Sequence, residues 1–244
     1  MAFVPRIYLA GASSGTHTVI DESDVNHIKN VLRIPVGGEI TVCDGRGTSY
    51  SGKIVEFSPF GIVAELGKGK HDESEFPFSV TVYQCYPKGE KAETVVQKAV
   101  ELGATEIVFV MSERCVARPD EKSMQKKLAR LQKIADSAAS QCGRGILPQV
   151  KGLVPYEKAC EQAANSDCAF LCYEGDGTLP LRGILELSPH AKSYAFLIGP
   201  EGGISPEEVN TAVDAGLALA GLGHRILRTE TAALFVLSAM NVLC

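Results

Sequence analysis

Residues 193–205 read SYAFLIGPEGGIS, and this stretch decides the fold. SYAFLIG is a continuous apolar run, the pattern of a strand buried on both faces of a parallel sheet. Gly199-Pro200-Glu201-Gly202-Gly203 then turns the chain. Ser205-Pro206-Glu207-Glu208 opens a helix, with an N-cap serine, a proline at the first helical position and a capping-box glutamate. A turn alone needs one glycine. Gly199, Gly202 and Gly203 instead strip side chains from a loop at the carboxyl end of a strand, where ligands of parallel sheets sit.

The same pattern repeats on both sides of this stretch. CAFLCY (168–173) is a buried strand leading into the loop Leu171-Cys172-Tyr173-Glu174-Gly175-Asp176-Gly177. LALAGL (217–222) is another, followed by Leu222-Gly223-His224-Arg225-Ile226-Leu227-Arg228-Thr229-Glu230-Thr231 and a closing helix that is apolar nearly all round. Upstream, FSVTVYQCY (78–86) and EIVFVM (106–111) are strands. Between them, residues 89–103 form a helix with Ala92, Val95, Val96, Ala99 and Leu102 inward and Gly103 to stop it. A long helix runs from Asp120 to Cys142, ended by Gly143. This is an α/β domain with a largely parallel sheet.

Before residue 73 the pattern is different. RIYLA (6–10), EITVCDG (39–45), TSYSGKIVEF (48–57) and GIVAEL (61–66) are short strands separated by tight turns, which suggests a small β-barrel. DESDVNHIKNVLR (21–33) is a helix with Val25, Ile28, Val31 and Leu32 on one face. Gly67–Glu75 is polar and glycine-rich, the composition of a linker. Two domains follow, 1–72 and 73–244.

Composition excludes several classes. The chain has 244 residues, 45% of them hydrophobic and 22% charged, enough apolar material for a buried core and too ordinary for disorder. The longest apolar run, AALFVLSAMNVLC, is too short to span a bilayer, so no membrane role is expected. The eight cysteines contain no C-x-x-C pair and the histidines are scattered, which predicts reduced buried thiols, no metal site and a cytoplasmic protein. Gly47-x4-Gly52-Lys53 fails as a phosphate loop because Ile54 replaces the required Ser/Thr, and no G-x-G-x-x-G follows a strand. The net charge of −5 argues against general polyanion binding. Yet Arg114–Lys151 carries nine Lys/Arg against three acids, and Lys122, Lys126, Arg130 and Lys133 share one helix face. That face is either merely solvated or a local phosphate-binding surface.

LIGPEGGIS (197–205) followed by LGHRILRTETA (222–232) resembles the closing half of the bacterial small-subunit rRNA uridine-N3 methyltransferases of the RsmE family, in the SPOUT (trefoil-knot) class. The resemblance extends upstream through residues 87–116 and 137–150, and through RIYL and residues 27–47 near the start. Ser140 and His224 depart from the family's usual acid and proline. The resemblance implies a PUA-like RNA-binding β-barrel (1–72) joined to a knotted α/β methyltransferase domain (73–244), a homodimer, S-adenosyl-L-methionine (SAM) as cofactor, and 16S rRNA in the small (30S) ribosomal subunit as substrate. The cofactor would be held by Leu171, Cys172, Tyr173 and Glu174, by Ile198, Gly199, Pro200, Glu201, Gly202 and Gly203, and by Leu222, Gly223, Ile226, Leu227, Arg228 and Thr231.

In that reading the uridine N3–H is only weakly acidic, so a base or a charge-stabilising cation is needed. Arg228 is the candidate cation, and Glu201 and Glu230 are candidate bases between which the sequence does not choose. RNA would be bound by Arg6 on the barrel, by Lys88, Arg114, Arg118 and Arg144 beside the cleft, and more loosely by the stripe Lys122, Lys126, Arg130 and Lys133. Two alternatives stay open: another SPOUT enzyme acting on tRNA or ribose 2′-hydroxyls, and a non-catalytic RNA-binding factor in ribosome assembly.

Overall fold

In the computed structural model, which describes residues 4–19 and 22–243, the apolar runs pair into two separate sheets. Asp21, the expected start of the first helix, and Cys244 lie outside the described residues. The chain divides into a first unit, Met1–Glu75 with Ala139–Leu147, and a second, Phe76–Ala138 with Pro148–Cys244.

The first unit holds β1 (Arg6–Tyr8), β2 (Gly15–Val19), α1 (Glu22–Asn26), β3 (Glu39–Cys43), β4 (Thr48–Ser58), β5 (Gly61–Leu66) and β6 (Lys70–His71). The strands pair in the order β1-β3-β4-β5-β2, with β6 on β4, and only the β1–β3 contact is parallel. Among the described residues no pairing joins β1 to β2, so the strands form an open path. Alternate residues point inward: Ile40 and Val42 from β3, Ile54 from β4, and Ile62, Ala64 and Leu66 from β5 meet Ile7 and Ile28 in one core. The strand β2, GTHTV, was not expected. It lacks an apolar alternation because it is the edge of the path, pairing among the described residues with β5 alone.

The helix face read from sequence is partly wrong. After α1 the chain widens into a π-type turn over His27–Val31, with Leu32 N bonding His27 O at 2.8 Å. The extra residue in that turn breaks the helical phase, so Ile28 is fully buried while Val31 is 61% exposed.

Gly67–Glu75 is no free tether either. Asp72 accepts a hydrogen bond from Arg6 Nη1 at 2.5 Å, and Glu75 is buried against Arg144, whose Nη2 donates at 2.6 Å. The Glu75 carboxylate also accepts from the amides of Gly145 and Ile146, at 2.8 and 2.9 Å. Tyr8 Oη donates to the Arg144 carbonyl at 2.6 Å. The linker composition conceals the two acids that hold this unit's segments together.

The second unit holds β7 (Ser79–Cys85), α2 (Lys91–Glu101), β8 (Glu106–Met111), α3 (Glu121–Cys142, which runs on into the first unit), β9 (Gln149–Pro155), α4 (Tyr156–Ala163) and β10 (Cys168–Cys172). It continues with β11 (Leu179–Pro180), α5 (Leu181–Leu187), β12 (Ser193–Ile198), α6 (Pro206–Asp214), β13 (Ala218–Gly221) and α7 (Thr229–Leu243). The seven strands are all parallel, in the order β11-β13-β10-β12-β7-β8-β9. Strands β8, β10 and β12 are the apolar runs, and Phe109, Phe170 and Phe196 are fully buried in the sheet. Between β12 and β7 the chain order reverses, which places a crevice at the carboxyl ends of those neighbours. The capping box at Ser205 forms as expected, and α2 ends against Gly103 at φ 102°. Among the described residues no helix is long and apolar enough to cross a membrane, and no group of three or more His, Cys, Asp or Glu is placed to hold a metal ion.

Candidate active site

The three loops converge at the carboxyl ends of β10, β12 and β13 and line a cavity that opens to solvent. Cys172, Tyr173 and Glu174 line it from the first loop, Ile198, Gly199, Gly203 and Ile204 from the second. Leu222, Gly223, Arg225, Ile226 and Leu227 line it from the third, and Thr229 and Ala232 from the start of α7. The expected set and the lining are not identical. Leu171 pairs with Leu197 and Leu219 inside the sheet and is fully buried, away from the cavity. Pro200, Gly202 and Thr231 do not line it. Ile204, Arg225, Thr229 and Ala232 do, and the sequence did not single them out.

The glycines have separate physical reasons. A Cβ on Gly199 would stand 3.0 Å from Ile204 Cγ1, and one on Gly203, at φ 72°, would stand 3.3 Å from Glu174 Oε1. Side chains there would fill the cradle. At Gly202 a Cβ would meet Arg114 Cβ at 3.0 Å, so this glycine serves the approach of the segment after β8. Arg114 Nη1 donates to the Gly202 carbonyl at 3.4 Å.

Behind the cradle runs a buried polar chain. Gln84 of β7, fully buried, donates from Nε2 to Thr229 Oγ1 at 2.7 Å and to the Cys85 carbonyl at 3.1 Å. The Thr229 hydroxyl in turn donates to the Gly199 carbonyl at 2.7 Å. The first residue of α7 thereby ties β7 to the glycine loop. A lone Gln in an apolar strand was the sequence signal for this chain, and it was overlooked.

The walls combine an apolar slot (Ile198, Ile204, Leu227, Ala232) with one carboxylate, Glu174. Burial pushes the Cys172 thiol well up, so it remains protonated and acts as apolar surface.

A second, open cavity shares Ile226, Leu227 and Thr229 with the first. Lys88, Lys91, Glu201 and Arg228 complete it. Glu201 and Arg228, expected beside the cofactor, therefore face this neighbouring space. Lys91 Nζ stands 3.0 Å from Glu201 Oε1 and 3.5 Å from Glu230 Oε2, and the Lys88 amide donates to Glu201 Oε1 at 3.3 Å. Burial pushes the Glu201 carboxyl up, but hydrogen bonds from Lys91 and from the backbone outweigh it and leave the group below the usual carboxylate range. Lys91 is raised, first by its bond to Glu201. The sequence reading missed Lys91, because GEKAE reads as an ordinary helix start.

The basic residues expected to meet RNA separate into three kinds. Lys88, Lys122 and Lys126 are exposed, as is Arg130, whose guanidinium pairs with Glu93 at 2.8 Å. Arg118 is folded back on the carbonyls of Ser112 and Glu113, at 3.3 and 2.6 Å. Arg144 is the correction: it is 3% exposed and spent on Glu75, so no phosphate can reach it. Arg6, with Asp72, Cys43 Sγ and the Arg144 carbonyl around one nitrogen, is likewise a structural cation.

A family model for the RNA methyltransferase domain matches residues 74–241, and one for the RNA methyltransferase PUA domain matches residues 20–59. The ribosomal RNA small subunit methyltransferase E of Bacillus subtilis (strain 168) is 31% identical over 226 residues, covering 91% of this chain and 88% of the relative. The protein of the same name from Mycobacterium bovis is also 31% identical, covering 94% and 88%. Among solved structures, a ribosomal RNA small subunit methyltransferase E from Neisseria gonorrhoeae bound to S-adenosyl methionine is 34% identical. It aligns with a TM-score of 0.85 over 99% of this chain and 98% of that one. Since the span 74–241 contains every residue lining either cavity, the likeness extends to the site itself, and the chain belongs to the ribosomal RNA small subunit methyltransferase E family.

Proposed function

We propose that this protein transfers a methyl group from SAM to N3 of one uridine of 16S rRNA in the small ribosomal subunit, acting in the cytoplasm as a homodimer. The observation that carries the reading is the cavity lined by three carboxyl-end loops, next to a second cavity where Lys88, Lys91 and Arg228 surround Glu201. Relatives named for small-subunit rRNA methylation, and one solved with SAM bound, support the donor and the substrate. The match to an RNA methyltransferase PUA domain supports a PUA-like barrel for the first unit, and membership of the family supports the threaded trefoil chain in the second.

The residues present fit the cofactor. A Cβ at Gly199 or Gly203 would press on Ile204 or Glu174, two residues that line the cradle. Ile198, Ile204, Leu227 and Ala232 offer an apolar slot for an adenine, and Glu174 is a carboxylate that can accept from ribose hydroxyls. SAM, when bound, supplies an electrophilic methyl group that needs little activation. What remains for the protein is to orient the uracil ring and free its N3 electron pair. Arg228, beside the shared wall, is placed to stabilise negative charge developing on the ring oxygens.

Incubating the protein with labelled SAM and unmodified small subunits, then mapping the product nucleoside by mass spectrometry, tests this directly. The expected product is 3-methyluridine at one position of 16S rRNA. A ribose-methylated product or labelled tRNA would sink the N3 assignment. Arg228→Ala is expected to lower turnover by about tenfold or more while calorimetric SAM binding stays close to wild type. Equal turnover would remove Arg228 from the chemistry.

A further inference from the structure

The second cavity has no assigned occupant. It lies at the carboxyl ends of β7 and β12, the neighbours between which chain order reverses, and it shares a wall with the donor's cavity. Of the two candidate bases, Glu201 lines it and Glu230 does not. Both carboxylates are nonetheless joined through one ammonium group, that of Lys91. Glu201 Oε2 is buried without a hydrogen-bond partner among the described residues, and Glu230 Oε2 faces the Lys91 ammonium at 3.5 Å.

We infer that this cavity takes the acceptor uracil ring and that Lys91, by bridging Glu201 and Glu230, holds Glu201 as the ionised acceptor of the ring's imide proton. The inference rests on the uridine-N3 reading above. The proton passes from N3 to the Glu201 carboxylate, and its electron pair stays on nitrogen. A carboxylate is a weak base for so weak an acid. The other cations facing Glu201 compensate by stabilising the ring anion: Lys88 from the β7–α2 loop and Arg228 ahead of α7. Glu230 on α7 stands 3.5 Å from Lys91 Nζ and completes its charge balance. Lys91 is thus a positioning residue and Glu201 the catalytic one.

The test uses the full chain and the variants K91M, K91R, E201Q and E230Q, with calorimetric SAM binding and single-turnover methylation of unmodified small subunits followed against pH. Lys91 does not line the donor's cavity, so K91M is expected to bind SAM within about twofold of wild type. Its rate near neutrality is expected to fall about tenfold, with the acid limb of the profile moved to higher pH. K91R, which keeps the charge, is expected to recover most of the rate and return the limb. E201Q is expected to be slower than E230Q. K91M with the wild-type rate and profile, K91R no better than K91M, or E230Q slower than E201Q would each overturn the inference while leaving the uridine-N3 assignment standing. A wild-type protein that forms no 3-methyluridine would bring down both.

Discussion

Glu75→Ala is expected to destabilise the first unit by about 3–5 kcal/mol, the range for removing one partner of a buried ion pair. The carboxylate is 2% exposed and receives Arg144 Nε and Nη2 together with two backbone amides, Gly145 and Ile146. Alanine strips the compensating charge from a guanidinium that is itself buried, and it leaves both amides without an acceptor. The pair spans 69 residues of sequence, so it holds Ala139–Leu147 within a unit otherwise built from the start of the chain. Glu75→Gln is expected to fall in between, since the amide oxygen can still accept from one donor but carries no charge. Denaturant unfolding followed by circular dichroism checks this. A loss below about 1 kcal/mol for the alanine variant would mean that Arg144 finds another partner, and its buried role would need revision.

That same pair shows where the sequence stops being readable. Strands buried on both faces announce themselves by composition alone, so β8, β10 and β12 and the glycine loop after β12 were legible before any coordinates. Local chemistry was legible too: the Ser205 capping box needs only residues three apart. Partnerships across the chain were not. Arg6 and Arg144 read as phosphate ligands because their acids, Asp72 and Glu75, sit in a stretch whose glycines and polar residues mimic a tether. Edge elements such as β2 and β11 carry little apolar signal, because one side of each is unpaired and their packing demands are small. The site divided in the same way. The three loops could be placed at one sheet edge from pattern, yet the split into two cavities depends on where Glu201 and Arg228 point. Lys91 and Gln84 reach the site through contacts more than 100 residues away in sequence.

Thr229→Val is expected to weaken SAM binding by about tenfold or more and to cost about 2–4 kcal/mol of stability, although valine keeps the shape of threonine. The lost hydroxyl is the only link between Gln84 and the Gly199 carbonyl in the buried chain described above, and Gly199 and Thr229 both line the donor's cavity. Removing it leaves a carbonyl and an amide N–H buried without partners, and the carbonyl is free to tilt in the loop that must cradle the cofactor. The two consequences separate in a double-mutant cycle. Gln84 already carries an unpartnered buried Oε1. Gln84→Leu therefore removes a strained polar group along with the bond, and Thr229→Val combined with Gln84→Leu is expected to lose less stability than the two single changes added together. Cofactor affinity is expected to stay low in the double variant, because Gly199 is still released. Calorimetry and thermal melts of the four proteins read both quantities. Full SAM affinity in Thr229→Val would show that the cradle keeps its shape without this bond, and the glycines would then have to explain the site by themselves.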